Sequence, residues 1–260
     1  MKLKQIRNAT MIITYAEKKF LIDPFLAPKG TYPPFPATHN QHLNNPTVDL
    51  PVSMEEIIDV DAVIVTHLHP DHFDPVAIEV SPKGIKMFAQ DEDEAAQLKD
   101  VGFTNVETLR EEGTIFEEIK LIKTTGRHAS DESIIELFKS VNGATEVCGI
   151  IFNHKDEKSL YVMGDTVWYD AIKDTLDKYT PDVIVINAGY AHLTDGRYLT
   201  MPKEETYEVS KVASNAQLVA THMEAVNHAM LSRKELRDYA IEKGFSERLS
   251  IPADGETIEF

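Results

Sequence analysis

The sequence predicts an α/β fold in which β-sheets lie at the centre and helices pack outside them. Two observations support this class. Short β-branched-rich runs dominate the N-terminal part of the 260-residue chain, and strand patterns alternate with helical patterns in the C-terminal part. Because no linker, internal repeat or low-complexity tract separates the two parts, we expect residues 1–260 to form a single domain.

The composition limits the functional classes. The chain has 26 lysines and arginines against 43 acidic residues, and this net charge of −17 makes nucleic acid an unfavoured partner. The single cysteine, Cys148, excludes a disulfide framework and an all-cysteine zinc site. No apolar run approaches the ~20 residues of a membrane span, and the charged N-terminus lacks a signal-peptide pattern. We therefore expect a cytoplasmic protein that acts on a small molecule and has no membrane partner.

The elements before the centre of the chain are mostly strands. Three short runs predict strands at residues 3–7, 10–14 and 20–22. Six of the 13 prolines lie in residues 27–51, which predicts a long irregular loop, and loops of that length are usually functional or mobile. Ser53 and Glu56 have the spacing of a capping box at the start of a short helix. A buried strand at 62–65, a strand at 85–89 and a helix at 91–101 follow.

The remaining elements alternate. Residues 115–124 predict a strand that Glu117 and Glu118 interrupt, whereas 131–146 has apolar residues at both helical and strand spacing and stays open between the two. The later predictions are a hairpin from 148–152 and 160–163, helices at 167–179, 203–213 and 234–243, and strands at 183–186 and 218–220.

One segment carries most of the chemistry. His67, His69, Asp71 and His72 directly follow the buried strand, at the kind of strand end where functional loops gather. Two histidines at positions i and i+2 of an extended loop can bind one metal ion, and the adjacent Asp71 and His72 can point toward a second. Imidazole and carboxylate ligands suit zinc, manganese or iron.

One loop cannot complete two metal sites. Three further metal-competent side chains each come just after an apolar strand: His128, Asp165 and His222. Each signal is weak by itself, but their recurrence after the His/Asp loop predicts that they join one site.

The motif and the order of these residues along the chain resemble those of the metallo-β-lactamase fold superfamily. More narrowly, they resemble its stand-alone hydrolases related to L-ascorbate-6-phosphate lactonase. The likeness covers almost the whole chain, including Asp23 and Pro24. It implies an αββα sandwich of two central mixed sheets, with helices on the outer faces. It also implies a first metal ion held by His67, His69 and His128, a second held by Asp71, His72 and His222, and Asp165 bridging the two.

The resemblance implies a dinuclear hydrolase in which a metal-bridging hydroxide attacks a small ester, lactone or phosphorylated lactone. Asp71 would orient that nucleophile or transfer its proton. His69 stands where the oxygen-reducing di-iron members carry Glu, which disfavours a redox role. A phosphodiesterase or nuclease, and a non-catalytic metal-binding scaffold, remain the alternatives.

Five weaker candidates could contact the substrate. Arg127 could meet an anionic group, and Trp168 could form a wall of the site. Asn187 and Tyr190 flank a glycine after a strand, and His228 could support a metal ligand. The oligomeric state, and whether loops 27–51 and 190–200 close over the site, stay open.

Overall fold

The computed structural model describes residues 1–140 and 146–260, and it contains two seven-stranded sheets with helices on their outer faces. The first sheet has the order β14-β1-β2-β3-β4-β5-β6, and the second has the order β13-β12-β11-β10-β9-β8-β7. The strands of the first sheet are β1 (Lys2–Arg7), β2 (Thr10–Tyr15), β3 (Lys18–Ile22), β4 (Ala62–Ile64), β5 (Lys86–Ala89), β6 (Val106–Thr108) and β14 (Thr257–Glu259). Those of the second are β7 (Thr114–Phe116), β8 (Ile119–Arg127), β9 (Glu146–Asn153), β10 (Leu160–Val162), β11 (Val183–Asn187), β12 (Gln217–Thr221) and β13 (Leu249–Ser250). This arrangement confirms the predicted αββα sandwich.

The core lies between the two sheets. Apolar side chains from the inner faces of both sheets form one buried cluster, in which the rings of Phe20 and Phe152 meet edge to face with centroids 5.2 Å apart. A second cluster lies between the second sheet and its helices, and a third lies between the first sheet and its helices. Each sheet is therefore buried on both faces, which explains the continuous apolar strands of the sequence.

The described residues form seven helices, and six of them cover the outer faces of the sheets, whereas the fourth packs against loop residues in a small separate cluster. They are α1 (Met54–Ile58), α2 (Pro75–Val80), α3 (Glu92–Asp100), α4 (Glu132–Ser140), α5 (Asp170–Tyr179), α6 (Lys203–Val212) and α7 (Arg233–Lys243). Side-chain caps fix several starts: Ser53 accepts a hydrogen bond from Glu56 N, and Asp74 accepts one from Ala77 N with Pro75 in the first turn. No described helix has the length and apolar composition needed to cross a membrane.

The structure corrects several sequence-based boundaries. Residues 115–124 are not one interrupted strand, because β7 and β8 pair as a hairpin that turns at Glu117 with φ 54°. The open segment 131–146 contains α4 up to Ser140, and residues 141–145 lie outside the described part. Helix α5 begins at Asp170, three residues later than predicted, and α2 and β6 were not predicted.

Strand direction positions the site. β3, β4, β5 and β6 run parallel in the first sheet, as do β10, β11, β12 and β13 in the second. The carboxyl ends of each parallel set therefore meet at one edge of their sheet, and loops from both sheets converge there. The proline-rich residues 27–51, which we name the strap, cross the same end as irregular backbone, with isolated bridges at Tyr32–Asn45 and Thr38–Leu193.

Candidate metal centre

The metal-competent side chains predicted from the sequence converge at this end of the sandwich. His67, His69, Asp71 and His72 come from the loop after β4. His128 directly follows β8 and His222 directly follows β12, whereas Asp165 lies three residues beyond β10. All are buried except His69, which is half-buried beside the exposed Pro70, so the site opens to solvent at that point.

The seven side chains form three overlapping groups in which potential ligand atoms lie within 4.8 Å of one another. The groups are His67, His69 and His128; His67, His72 and Asp165; and Asp71, His72 and His222. Asp165 Oδ2 lies 3.2 Å from His72 Nε2 and 3.6 Å from both His222 Nε2 and His128 Nδ1. The carboxylate of Asp165 is thus placed between side chains of the first and last groups.

Asp23 fixes the ring orientation of two of the histidines. Its Oδ2 accepts hydrogen bonds from His72 Nδ1 at 2.8 Å and from Thr66 Oγ1 at 2.7 Å. Because the Thr66 hydroxyl donates to Asp23, it can only accept from His67 Nδ1, which lies 3.1 Å away. Both neutral rings therefore carry their proton on Nδ1 and direct the lone pair of Nε2 into the site, the arrangement that metal-binding histidines need.

The atoms that face inward fit metal ligation. His67 Nε2 is buried and has no hydrogen-bond partner among residues 1–140 and 146–260, which is costly for a polar atom unless another group satisfies it. His72 Nε2 and His222 Nε2 lie only 3.2 Å apart, so in the absence of a proton on either atom their lone pairs would repel. Divalent cations would satisfy these nitrogens, and the imidazole and carboxylate set is one that zinc, manganese and iron accept.

The carboxylates are held in position by amides. Asn187 Nδ2 donates to Asp165 Oδ1 at 2.6 Å. Asn8 Nδ2 donates to the backbone oxygen of Asp71 at 3.0 Å and to its Oδ2 at 3.3 Å. Asn187 is buried and bonded to a proposed ligand, so the structure places it behind the site, where it supports Asp165.

A close backbone contact fixes His222. This residue has φ 58°, in the left-handed region that is costly for a residue other than glycine. A Cβ on Gly189 would lie 1.9 Å from the His222 carbonyl oxygen, so only glycine lets these two segments approach. The glycine noted in the sequence therefore serves the backbone of a candidate ligand.

The protonation states of the site are coupled. Burial lowers the pKa of His128 to about 3, and burial beside His72 and His69 holds the pKa of His67 well below its usual value. Burial also opposes the charge of Asp165, but His222 and His72 outweigh it and hold the pKa of Asp165 well below its usual range.

His72 and His222 behave in the opposite sense. Burial disfavours the charged form of His72, but the carboxylates of Asp165 and Asp23 raise its pKa well above the usual value. Burial likewise opposes protonation of His222, but Asp165 and Asp71 raise its pKa. Protons on His72 and His222 therefore balance the charge of the buried carboxylates. A bound cation would displace these protons, so cation affinity should fall as the pH is lowered.

The other substrate-contact candidates lie around this centre. Arg127 is half-buried over the Tyr169 ring at 5.0 Å, and Trp168 packs against the apolar cluster beneath α5. Tyr190 contacts the His192 ring at 4.5 Å. His228 is buried, and its ring lies 4.6 Å from that of Phe35 in the strap.

Sequence reasoning assigned no supporting role to Asn8 or Asp23, and it named Asn187 only as a substrate contact. Asn8 lies in a tight turn between β1 and β2 with φ 54°, and nothing near it in the sequence points to Asp71. Asp23 ends the third predicted strand and forms part of the family resemblance, but the sequence assigns it no role at the site. Its position directly after an apolar strand was the available signal, the same one that singled out His128 and His222.

Comparison with known proteins identifies the family. Residues 18–223 match the family described as the beta-lactamase superfamily domain. The chain is 52% identical to the UPF0173 protein YddR of Bacillus subtilis (strain 168) over 261 residues, which covers all of both proteins. It is 27% identical over 183 residues to a UPF0173 metal-dependent hydrolase of Methanosphaera stadtmanae, which covers 70% of this chain and 69% of that protein.

Solved structures agree. An isothiocyanate hydrolase from Delia radicum gut bacteria superposes with a TM-score of 0.95 at 42% identity, covering 100% of this chain and 99% of the other. A possible metal-dependent hydrolase from Veillonella parvula superposes with a TM-score of 0.94 at 36% identity, covering 99% and 98%. The chain therefore belongs to the β-lactamase superfamily and is one of its metal-dependent hydrolases.

Proposed function

We propose that the chain is a dinuclear hydrolase of a small metabolite. The position of Asp165 between two three-residue groups supports this proposal. His67, His69 and His128 would hold one ion, Asp71, His72 and His222 would hold the other, and Asp165 would contact both. A structural zinc site instead closes one ion with four ligands, usually including cysteine. Zinc or manganese suits this set best, and iron is also compatible. When bound, two such ions would polarise the scissile group and lower the pKa of a water toward neutrality.

Asp71 is the residue we assign to proton transfer. Burial opposes its charge, but the hydrogen bond from His222 holds the pKa of Asp71 well below its usual range, so the carboxylate is ionised. Asn8 fixes its Oδ2, and His222 Nε2 lies 3.4 Å from the same atom. The ionised carboxylate of Asp71 can therefore accept a hydrogen bond from an attacking water and orient it, and transfer of a proton from that water to Asp71 is the step that we propose.

The substrate proposed from the sequence is an ester or a lactone, phosphorylated or not. The isothiocyanate hydrolase that is 42% identical to this chain acts on an isothiocyanate, which makes the isothiocyanate group a second candidate for the reacting part of the substrate. In both cases water adds to an electrophilic carbon. With an isothiocyanate, addition of water across the C=N bond and loss of carbonyl sulfide would leave a primary amine.

Two rival functions make different predictions. A phosphodiesterase or nuclease would cleave cyclic nucleotides or RNA, and the net charge of −17 disfavours a polyanionic substrate. A metal-holding scaffold would bind a partner protein without turnover. We therefore propose to screen zinc- and manganese-loaded protein against esters, lactones, phenethyl isothiocyanate, cyclic nucleotides and RNA. RNA cleavage without small-molecule turnover would overturn the substrate assignment.

The Asp71→Ala and His67→Ala variants test the assigned roles. We expect Asp71→Ala to retain its fold and lose turnover by about 10²–10⁴-fold, the range for a general acid or base. We expect His67→Ala to lose both turnover and metal, measured as ions per chain after dialysis. His42→Ala, in an exposed part of the strap, is the matched control. Unchanged turnover in both site variants, with loss of binding to a partner protein, would favour the scaffold.

A further inference from the structure

An apolar cavity lies beside the candidate metal centre, between the strap and the ligand loop. Residues 32–36 of the strap form one wall, and Phe25, Asn45 and Pro70 complete it. Its volume is about 260 Å³. An apolar cavity of about 150 Å³ is large enough to bind benzene, so this one can hold an aromatic ring together with a short linker.

The polar groups in the cavity wall already have partners within the protein. Asn45 Nδ2 donates to Asn227 Oδ1 at 2.9 Å, and Asn45 Oδ1 accepts from Asn227 N at 2.8 Å. Tyr32 donates its hydroxyl hydrogen to Asp74 at 3.2 Å. No charged side chain lines the cavity among the described residues. An occupant would therefore gain from burial of hydrocarbon, whereas a phosphate or carboxylate would lose its hydration without compensation.

The buried Arg7 packs over the Phe25 ring of the cavity wall at 5.0 Å and bonds to the backbone behind it. Arg7 donates from Nη2 to the carbonyl oxygens of Phe25 at 2.5 Å and Ala27 at 2.9 Å, and from Nη1 to that of Val48 at 3.1 Å. These bonds join the start of the strap to its end. Arg7 thus stabilises the wall of the cavity from behind, and it is not one of the residues that line the cavity.

The cavity adjoins the loop that carries four of the candidate ligands and is fixed relative to it. Pro70 in its wall stands between the candidate ligands His69 and Asp71. The side chain of Asn227, on the loop after His222, accepts from Phe35 N at 3.1 Å and donates to Thr38 Oγ1 at 2.8 Å. The strap is therefore tied to the loop that carries a candidate ligand, and a preformed pocket of this kind binds without the cost of ordering a loop.

We propose that this cavity binds the uncharged hydrocarbon group of the substrate and so selects neutral aryl or alkyl substrates over phosphorylated ones. This inference rests on the proposed hydrolase function, because it concerns the non-reacting part of the same substrate. It favours a hydrophobic ester, lactone or isothiocyanate, and it assigns specificity to the strap.

An inert probe tests the cavity separately from turnover. We would measure binding of N-benzylacetamide and N-methylacetamide to the purified full chain by calorimetry. We expect the benzyl compound to bind at least about 30-fold more tightly, because each buried methylene equivalent contributes about fourfold. Pro34→Trp, which fills the cavity, should abolish this preference. Pro82→Trp, an exposed proline in the turn between α2 and β5, is the matched control and should retain it.

A second variant keeps the test valid if Pro34→Trp does not fold. Phe35→Leu keeps the backbone bond to Asn227 and removes an aromatic wall, so it should weaken binding of the benzyl probe about tenfold and leave the methyl probe unchanged. Equal binding of both probes to the unaltered chain, or an unaltered preference in Phe35→Leu and Pro34→Trp, overturns the cavity assignment. Benzyl-selective binding in a metal-loaded protein that hydrolyses none of the screened substrates overturns the proposed hydrolase function instead.

Discussion

Asp23 organises two candidate ligands at once, His72 by a direct hydrogen bond and His67 through Thr66, and Asp23→Asn should therefore weaken metal binding although Asp23 is not itself a candidate ligand. Asp23 Oδ1 accepts from Thr66 N at 2.7 Å, so the amide oxygen of an asparagine would keep that position. The amide NH₂ would then replace Oδ2 and face two donors, Thr66 Oγ1 and His72 Nδ1. His72 could restore a hydrogen bond only by moving its proton to Nε2, which removes the lone pair needed for ligation.

The expected magnitude follows from the bonds lost. Hydrogen bonds to a charged group contribute about 1.5–3 kcal/mol each, so two lost bonds amount to about 3–6 kcal/mol before the site relaxes. Rotation of the Thr66 hydroxyl recovers part of this, and substituting one supporting partner of a metal ligand typically costs 10–100-fold in affinity. We expect metal binding to weaken by about 100-fold. Backbone strain does not confound the result, because Asp23 has φ 45° and asparagine tolerates that region as well as aspartate does.

The assay is competition of zinc or manganese with a chromophoric chelator, together with circular dichroism to confirm the fold. Asp61→Asn is the matched control, since Asp61 is exposed at the opposite end of β4 and accepts from Lys19 N at 2.8 Å. Metal affinity of Asp23→Asn within about threefold of the unaltered chain would refute the assigned role of Asp23.

Three further predictions concern residues around the site. Gly189→Ala would bring its Cβ to 1.9 Å from the His222 carbonyl oxygen, so we expect a loss of about 1–3 kcal/mol in the free energy of unfolding, measured by denaturant titration, and weaker metal binding. Gly84→Ala, with open space around it, should match the unaltered chain in both measurements. Burial raises the pKa of Glu94 to about 7. Since the unfolded chain loses this proton at lower pH, the free energy of unfolding should fall between pH 6 and pH 8 by about 1 kcal/mol more than in Glu94→Gln; urea titrations at the two pH values that give the same change for both proteins would contradict this. Asn227→Ala should leave buried amide groups of the strap without partners and cost at least about 3 kcal/mol in the free energy of unfolding; a melting temperature unchanged from that of the unaltered chain would show that the strap is not fastened there.

Several long-range relations could not be read from the sequence. Asp23 and His72 are 49 positions apart, and Asn45 and Asn227 are 182 apart. Such pairs depend on the order of strands in the two sheets, and residue types alone do not encode that order. The same holds for the apolar cavity. The prolines and aromatic rings of residues 32–36 belong to an irregular loop, and they form a cavity only because the ligand loop packs against them.

Local mistakes have local causes. Helix α2 has six residues, too few to show an apolar period, although Asp74 followed by Pro75 is a typical helix start. The sequence predicts one interrupted strand in place of the β7–β8 hairpin, because Glu117 adopts a left-handed conformation that a glycine or asparagine would signal more clearly.

The sequence by itself determined the fold class, the family and the side chains that meet at the candidate metal centre. It could do so because His67, His69, Asp71 and His72 are close along the chain, and because His128, Asp165 and His222 each follow a recognisable apolar strand. The tertiary structure alone decided which atoms of those side chains face one another, which carboxylate sets their protonation, and what shape of molecule fits beside them. Those properties depend on contacts between segments far apart in the chain, and such contacts exist only once both sheets have packed together.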